Sequence, residues 1–263
     1  MSDEDEATSP FLAVLTAVGR GLAAGGAFVG RQAVAAYRSV DPDVQRHLVQ
    51  LPLLAYSLFV PRKTAVDPGA PDGHPPVVFV HGLGANRGAF LLMAGYFRLC
   101  GRKRTYRVDF DRDGSMDDRA RALAAYVQRV CAVTGEPQVD LVAHSLGGLV
   151  ARLAIAEHRL GPAVRTLVTL GTPHRGTYPA RYANTETTRA LRPGSELMDR
   201  LGRSPLPASL RTVTFWSEND LFVLPADSAT LEGAEQIDVT PFTHYSYLID
   251  PRAFRAVWEV LGG

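Results

Sequence analysis

From Val77 onward, short apolar runs recur along the chain: VVFVH (77–81), YRVDF (106–110), VDLVAH (139–144), VRTLVTL (164–170), RTVTFW (211–216) and QIDV (236–239). Their length and β-branched content predict strands. Between most of them apolar positions return at helical spacing, over 87–99, 117–134, 146–158 and 251–261. Strands alternating with helices predict βαβ units, and hence an α/β fold with a mostly parallel central sheet flanked by helices. One interval breaks the rhythm. Residues 171–210 separate two strands by about forty positions, too many for an ordinary connection, and predict an inserted helical cap over about 175–210.

Upstream, FLAVLTAVGRGLAAGGAFVG (11–30) is almost wholly apolar, yet it is rich in Ala and Gly and interrupted by Arg20. That composition favours a packed helix, or one lying on a membrane surface, over a membrane span. A second helical pattern begins where Asp41 can cap and Pro42 suits the first turn, and it kinks at Pro52. Residues 1–60 therefore read as an N-terminal helical extension and residues 77–263 as the α/β domain. The stretch between them, PRKTAVDPGAPDGHPP (61–76), holds five prolines and reads as a linker. The acidic opening MSDEDEATSP lacks the basic region of a secretory signal. The expected location is cytoplasmic or peripherally membrane-associated, with any membrane contact falling to residues 11–60.

Composition narrows the function classes. With 263 residues and 46% hydrophobic content the chain can bury a substantial core. Its 28 Lys and Arg nearly balance 27 Asp and Glu, so no field is built for nucleic acid. The densest basic run, Arg102-Lys103-Arg104, is brief and reads as a solvated surface loop. Two cysteines support neither a disulfide framework nor a zinc site, and Cys131, on the apolar face of a helical pattern, reads as a buried free thiol. No ligand spacing marks a metal, and no cofactor is expected.

The chemistry concentrates in DLVAHSLGGLV (140–150), where a strand runs straight into a helix and Ser145 occupies the turn. Such a bend brings the flanking backbones together, so small residues are needed two positions before and two after the serine; here they are Ala143 and Gly147. The bend projects the hydroxyl at the positive end of the following helix. The simpler alternative is that Ser145 only caps that helix.

FVHGLGAN (79–86), AHSLGG (143–148), LGTPHRGT (170–177) and FWSENDLFVLP (215–225) occur in that order. Together they resemble the α/β-hydrolase superfamily and, within it, the bacterial triacylglycerol lipases and esterases. The resemblance implies a serine nucleophile, then an acid, then a histidine base in chain order. His158, His174 and His244 follow the serine. His244, between the last strand and the closing helix, is where the family places its base. His158 would point away from the turn, and His174 would help shape the pocket wall. The acid expected after the fifth strand is Asp220, with Glu218, Asp227 and Asp238 as alternatives. The oxyanion donors implied are the backbone amides of Leu146 and Leu83, the latter in a loop that His81 would anchor.

Leu83, Phe90, Leu91, Leu92 and Met93 predict a mainly apolar acyl pocket, with Leu83, Phe90 and His174 as substrate-binding residues. The function expected is cleavage of small-molecule or lipid carboxylic esters through Ser145, Asp220 and His244 and an acyl-enzyme. Acyl transfer or thioester cleavage by the same three residues is the nearest rival, and a non-catalytic scaffold the more distant one.

Overall fold

The computed structural model describes Gln50, Val60, residues 65–111 and residues 113–263. The N-terminal helical pair expected before residue 61 lies outside the described residues apart from Gln50 and Val60. The described part of the expected linker, residues 65–76, forms neither helix nor strand.

Six strands follow: β1 (Val77–Val80), β2 (Thr105–Arg107), β3 (Val139–His144), β4 (Val164–Leu170), β5 (Arg211–Trp216) and β6 (Glu235–Asp238). They form one sheet in the order β2-β1-β3-β4-β5-β6, and every neighbouring pair is parallel. Only the first crossover reverses direction, so β1 and β3 lie side by side at the centre. In an open parallel sheet that switch point opens a crevice at the carboxyl ends of the strands.

Alternation along the strands feeds two cores. Val78, Val80, Leu141 and Ala143 face one side, where α2 (Met116–Thr134) and α3 (Leu146–Glu157) pack. Val77, Phe79 and Val142 face the other, covered by α1 (Leu91–Leu99), α6 (Ser246–Ile249) and α7 (Pro251–Val260). The helix boundaries follow local chemistry. Ser115 and Asp118 close a capping box on α2, and Asp250 accepts from the Arg252 amide ahead of Pro251 at the start of α7.

The long interval after β4 does contain helices, α4 (Glu186–Ala190) and α5 (Glu196–Arg203), preceded by a 3-10 turn over Tyr178–Tyr182. Leu197, Met198 and Leu201 of α5 are buried and join the core on the α3 side. Arg152 of α3 ties this insertion down, donating to the Leu201 carbonyl at 2.8 Å and the His174 carbonyl at 3.1 Å. Burial alone brings its pKa down to about 10.

The reading of Arg102-Lys103-Arg104 as a solvated loop is overturned: Arg102 is 0% and Arg104 3% exposed. Arg102 pairs with Asp140, and Arg104 with Glu136 at 2.8 Å, so partners far along the chain draw both guanidinium groups inward. Cys131 is a free thiol, half-buried rather than fully buried.

Candidate active site

β3 passes into α3 through a single residue, Ser145, at φ 54° and ψ −126°. Between Val139 and Ile155 it is the one residue that is not buried. Its side chain makes no capping bond to α3, so the simple cap is not what the structure contains. The backbone is held instead. The Ser145 amide donates to the Leu170 carbonyl at 2.9 Å, and Thr172 Oγ1 donates to the Ser145 carbonyl at 2.9 Å. Gly147 is required by close approach, because a Cβ there would lie 2.5 Å from the Val80 carbonyl oxygen.

β5 and β6 deliver the other two groups. His244 Nδ1–H donates to Asp220 Oδ2 at 2.8 Å, and the two residues are 5% and 1% exposed. The second Asp220 oxygen accepts the Phe222 amide at 3.0 Å, which fixes the carboxylate plane. Ser217 Oγ donates to the Phe242 carbonyl at 2.6 Å and fastens the exit of β5 to the loop carrying His244. Gly171, next to the Leu170 carbonyl that holds Ser145, packs directly on this pair: a Cβ there would lie 2.8 Å from Asp220 Oδ2 and 3.4 Å from His244 Nδ1. Ser145, Asp220 and His244 are thus gathered at one end of the sheet. The alternative acids lie elsewhere: Glu218 is exposed, Asp227 pairs with Arg175 at 2.9 Å, and Asp238 caps the Thr240 amide at 2.8 Å.

One residue of this site was not singled out from the sequence. His144 Nε2 lies 2.9 Å from the His244 carbonyl oxygen, and since a carbonyl only accepts, this nitrogen carries the proton. The two rings are 4.5 Å apart. Burial, and then the neighbouring His244, hold the His144 pKa well below the usual imidazole range, so it is a neutral donor. The parity of β3 places it on the same side as Val142, the only sequence signal it offers. Close by, burial and then the Asp220 carboxylate push the Tyr245 phenol up to about 12.

The loop after β1 rises against Ser145, since a Cβ on Gly82 would lie 3.0 Å from Ser145 Cβ. Leu83 in this loop is 47% exposed, whereas Leu146 is buried at the first position of α3. His81 sits beneath the loop, its Nδ1 donating to the Gly82 carbonyl at 3.0 Å and its ring 5.1 Å from Phe110. His158 ends α3, at the far end of that helix from Ser145.

Two expected pocket residues are placed inside the protein. Phe90 is 1% exposed and stacks on Phe79 at 4.9 Å, because Phe90, Met93 and Phe97 form the inward stripe around α1 and leave Leu91 and Leu92 outside. His174 is 3% exposed, 3.0 Å from Thr169 Oγ1, and burial with Arg152 and Arg175 nearby keeps its pKa well below the ordinary value. It is an internal brace. Among the described residues no cluster of His, Cys, Asp or Glu is arranged to hold a metal.

The sequence model of the Alpha/beta hydrolase family matches residues 77–261. The chain belongs to this family. Family membership embraces the whole sheet and every residue gathered around Ser145. Among curated proteins, a triacylglycerol lipase of Pseudarthrobacter phenanthrenivorans is 43% identical over 68 residues, 26% of this chain and 20% of that protein. One of Burkholderia plantarii is 43% identical over 68 residues, 26% of this chain and 18% of its own length. The chain therefore matches only about a fifth of these curated relatives. Among solved structures, a lipase of Bacillus licheniformis in mature form aligns at a TM-score of 0.64 with 23% identity, over 73% of this chain and 96% of its own. That likeness carries the hydrolase fold.

Proposed function

We propose that this α/β hydrolase cleaves carboxylic esters with apolar acyl groups, with Ser145 as nucleophile. The observation that carries the reading is the partial exposure and strained backbone of Ser145 at the end of the sheet that also holds the His244–Asp220 pair. Aspartate on Nδ1 leaves Nε2 of the neutral imidazole as the acceptor for the serine proton. In the reaction proposed, Ser145 Oγ attacks the ester carbonyl as its proton passes to His244 Nε2. The amides of Leu83 and Leu146 receive the developing oxyanion. The imidazolium then protonates the departing alcohol, leaving an acyl-enzyme that water hydrolyses by the reverse proton path.

Support for an apolar substrate comes from Leu83, Leu91 and Leu92, which are 47%, 38% and 45% exposed on and just after the oxyanion loop. Exposed apolar side chains grouped beside a reactive residue suit an apolar ligand. The names of the two curated relatives point the same way.

The test is fluorophosphonate labelling followed by turnover of p-nitrophenyl esters of increasing acyl length. Labelling of the native chain that disappears in Ser145→Ala, with kcat/KM rising with acyl length, is expected. A native chain that neither labels nor turns over any ester overturns the reading.

A further inference from the structure

The loop that presents His244 ends in a four-residue turn closed on itself. The Ser246 amide donates to the Thr243 carbonyl at 3.0 Å, and the Thr243 amide donates to Ser246 Oγ at 3.0 Å. His244 and Tyr245 occupy the two middle positions. Both end residues are buried, Thr243 at 1% and Ser246 at 6% exposure, and a side chain from 193 positions before Thr243 meets them. Gln50 Nε2 donates to Ser246 Oγ at 3.0 Å, and Gln50 Oε1 accepts the Thr243 hydroxyl.

These bonds form a ring with one consistent sense. Since the Thr243 proton goes to Gln50 Oε1, the 3.0 Å contact between the two hydroxyls is donated by Ser246, whose oxygen in turn accepts from Gln50 Nε2. The ring joins the first and last residues of the turn, on either side of His244, and so limits how far the turn can open. Two other fasteners hold the same loop: Ser217 Oγ on the Phe242 carbonyl and His144 Nε2 on the His244 carbonyl. Both of these come from strand ends within residues 77–261, which match the family. Gln50 lies outside that match, yet in the same compact unit as the sheet.

We propose that Gln50 is a positioning residue for His244: acting through Thr243 and Ser246, it sets the aim of the imidazole, and it brings a residue from upstream of the family-matched region into the working of the active site. The inference rests on His244 as the base of the ester hydrolysis proposed above. A catalytic group displaced by about 1 Å can lose a hundredfold in rate, so an anchor on the turn that carries the base bears directly on turnover. Without the Gln50 amide, the Thr243 and Ser246 hydroxyls still bond to each other, and the turn persists with one side released. The cost therefore falls on alignment more than on stability.

The experiment uses the full chain and an activated aryl ester. Gln50→Ala is expected to lower kcat about tenfold with KM within about twofold of native, while the denaturation midpoint stays close to that of the native chain. Thr243→Val, of the same shape, should cause a similar loss, and Thr243→Ser, which keeps the hydroxyl, should restore most of it. The double variant Gln50→Ala, Thr243→Val should be no slower than the worse of the two single variants, because both remove the same ring. Amide exchange over residues 242–250, read by mass spectrometry, needs no turnover and should quicken several-fold in Gln50→Ala. A native chain that turns over no ester sinks the reading of His244 as base; faster exchange in Gln50→Ala would then still show Gln50 holding the loop. The proposal is overturned if Gln50→Ala keeps the native kcat, if the two losses multiply in the double variant, or, in a chain without turnover, if exchange is unchanged.

Discussion

His244 and Asp220 sit on loops after adjacent strands, and one hydrogen bond of 2.8 Å, Nδ1 to Oδ2, joins them out of reach of solvent. A single buried carboxylate therefore selects the imidazole tautomer and its orientation. Replacing Asp220 by Asn preserves the shape and reverses the preference, since an amide can donate to Nδ1 and leave the proton on Nε2. Asp220→Asn should lower kcat about 10³- to 10⁴-fold. Glu218→Gln, on an exposed side chain, should leave kcat unchanged. Steady-state kinetics on an activated ester decide this, and full turnover in Asp220→Asn would remove that residue from the proposed triad.

Gly147 faces the backbone of the strand beside it, and the obstruction met by a Cβ, 2.5 Å to the Val80 oxygen, is main chain rather than a pliable side-chain tip. Gly147→Ala should therefore force β1 and α3 apart. Its expected cost is at least about 2–3 kcal/mol, in the range of an overpacked core. Chemical denaturation measures it, and a midpoint equal to that of the native chain would show that the crossing is looser than the distances require.

Much of this arrangement was legible in the chain itself. β1 and β3 are buried throughout, so both read as unbroken apolar runs. The run expected at 106–110 pairs only over Thr105–Arg107: as an edge strand it has one neighbour, yet Val108 and Phe110 stay buried beyond the ladder. For Phe90, nearness in sequence to the loop after β1 suggests a pocket, whereas its helical register with Met93 and Phe97 sends it to the core. His144 bonds to a residue 100 positions away, and no local pattern announces such a partner. Arg102 and Arg104 look like any surface cations until Asp140 and Glu136 are folded against them.

Asp140 is 0% exposed and serves two cations, Arg102 in the interior and Arg165 at 2.6 Å. Asp140→Ala would strand Arg102, whose pKa burial already depresses. A broken buried pair costs about 3–5 kcal/mol. Urea titration should show a lower midpoint with an unchanged slope, and a loss below about 1 kcal/mol would mean that Arg102 finds other acceptors.

Acid should weaken the fold through His144 and His174. In the native state burial holds both pKa values well below the ordinary imidazole value of about 6.5, so the unfolded chain takes up protons first as pH drops. Stability supplied by the neutral rings is complete above the unfolded value and is lost as pH falls from about 6.5 toward the folded values. The slope is about 1.4 kcal/mol per pH unit for each ring. Thermal melts across that window should fall less steeply for His174→Gln than for the native chain. Parallel curves would show that His174 does not contribute to the acid sensitivity.

Ser145 holds a backbone pose at φ 54° that only glycine adopts at ease. A non-glycine residue there sacrifices about 1–3 kcal/mol of durability. The variant Ser145→Gly should consequently melt at a higher temperature than the native chain. This family member would then tolerate a permanently tense joint at the middle of its sheet, a weakness kept for the sake of reactivity.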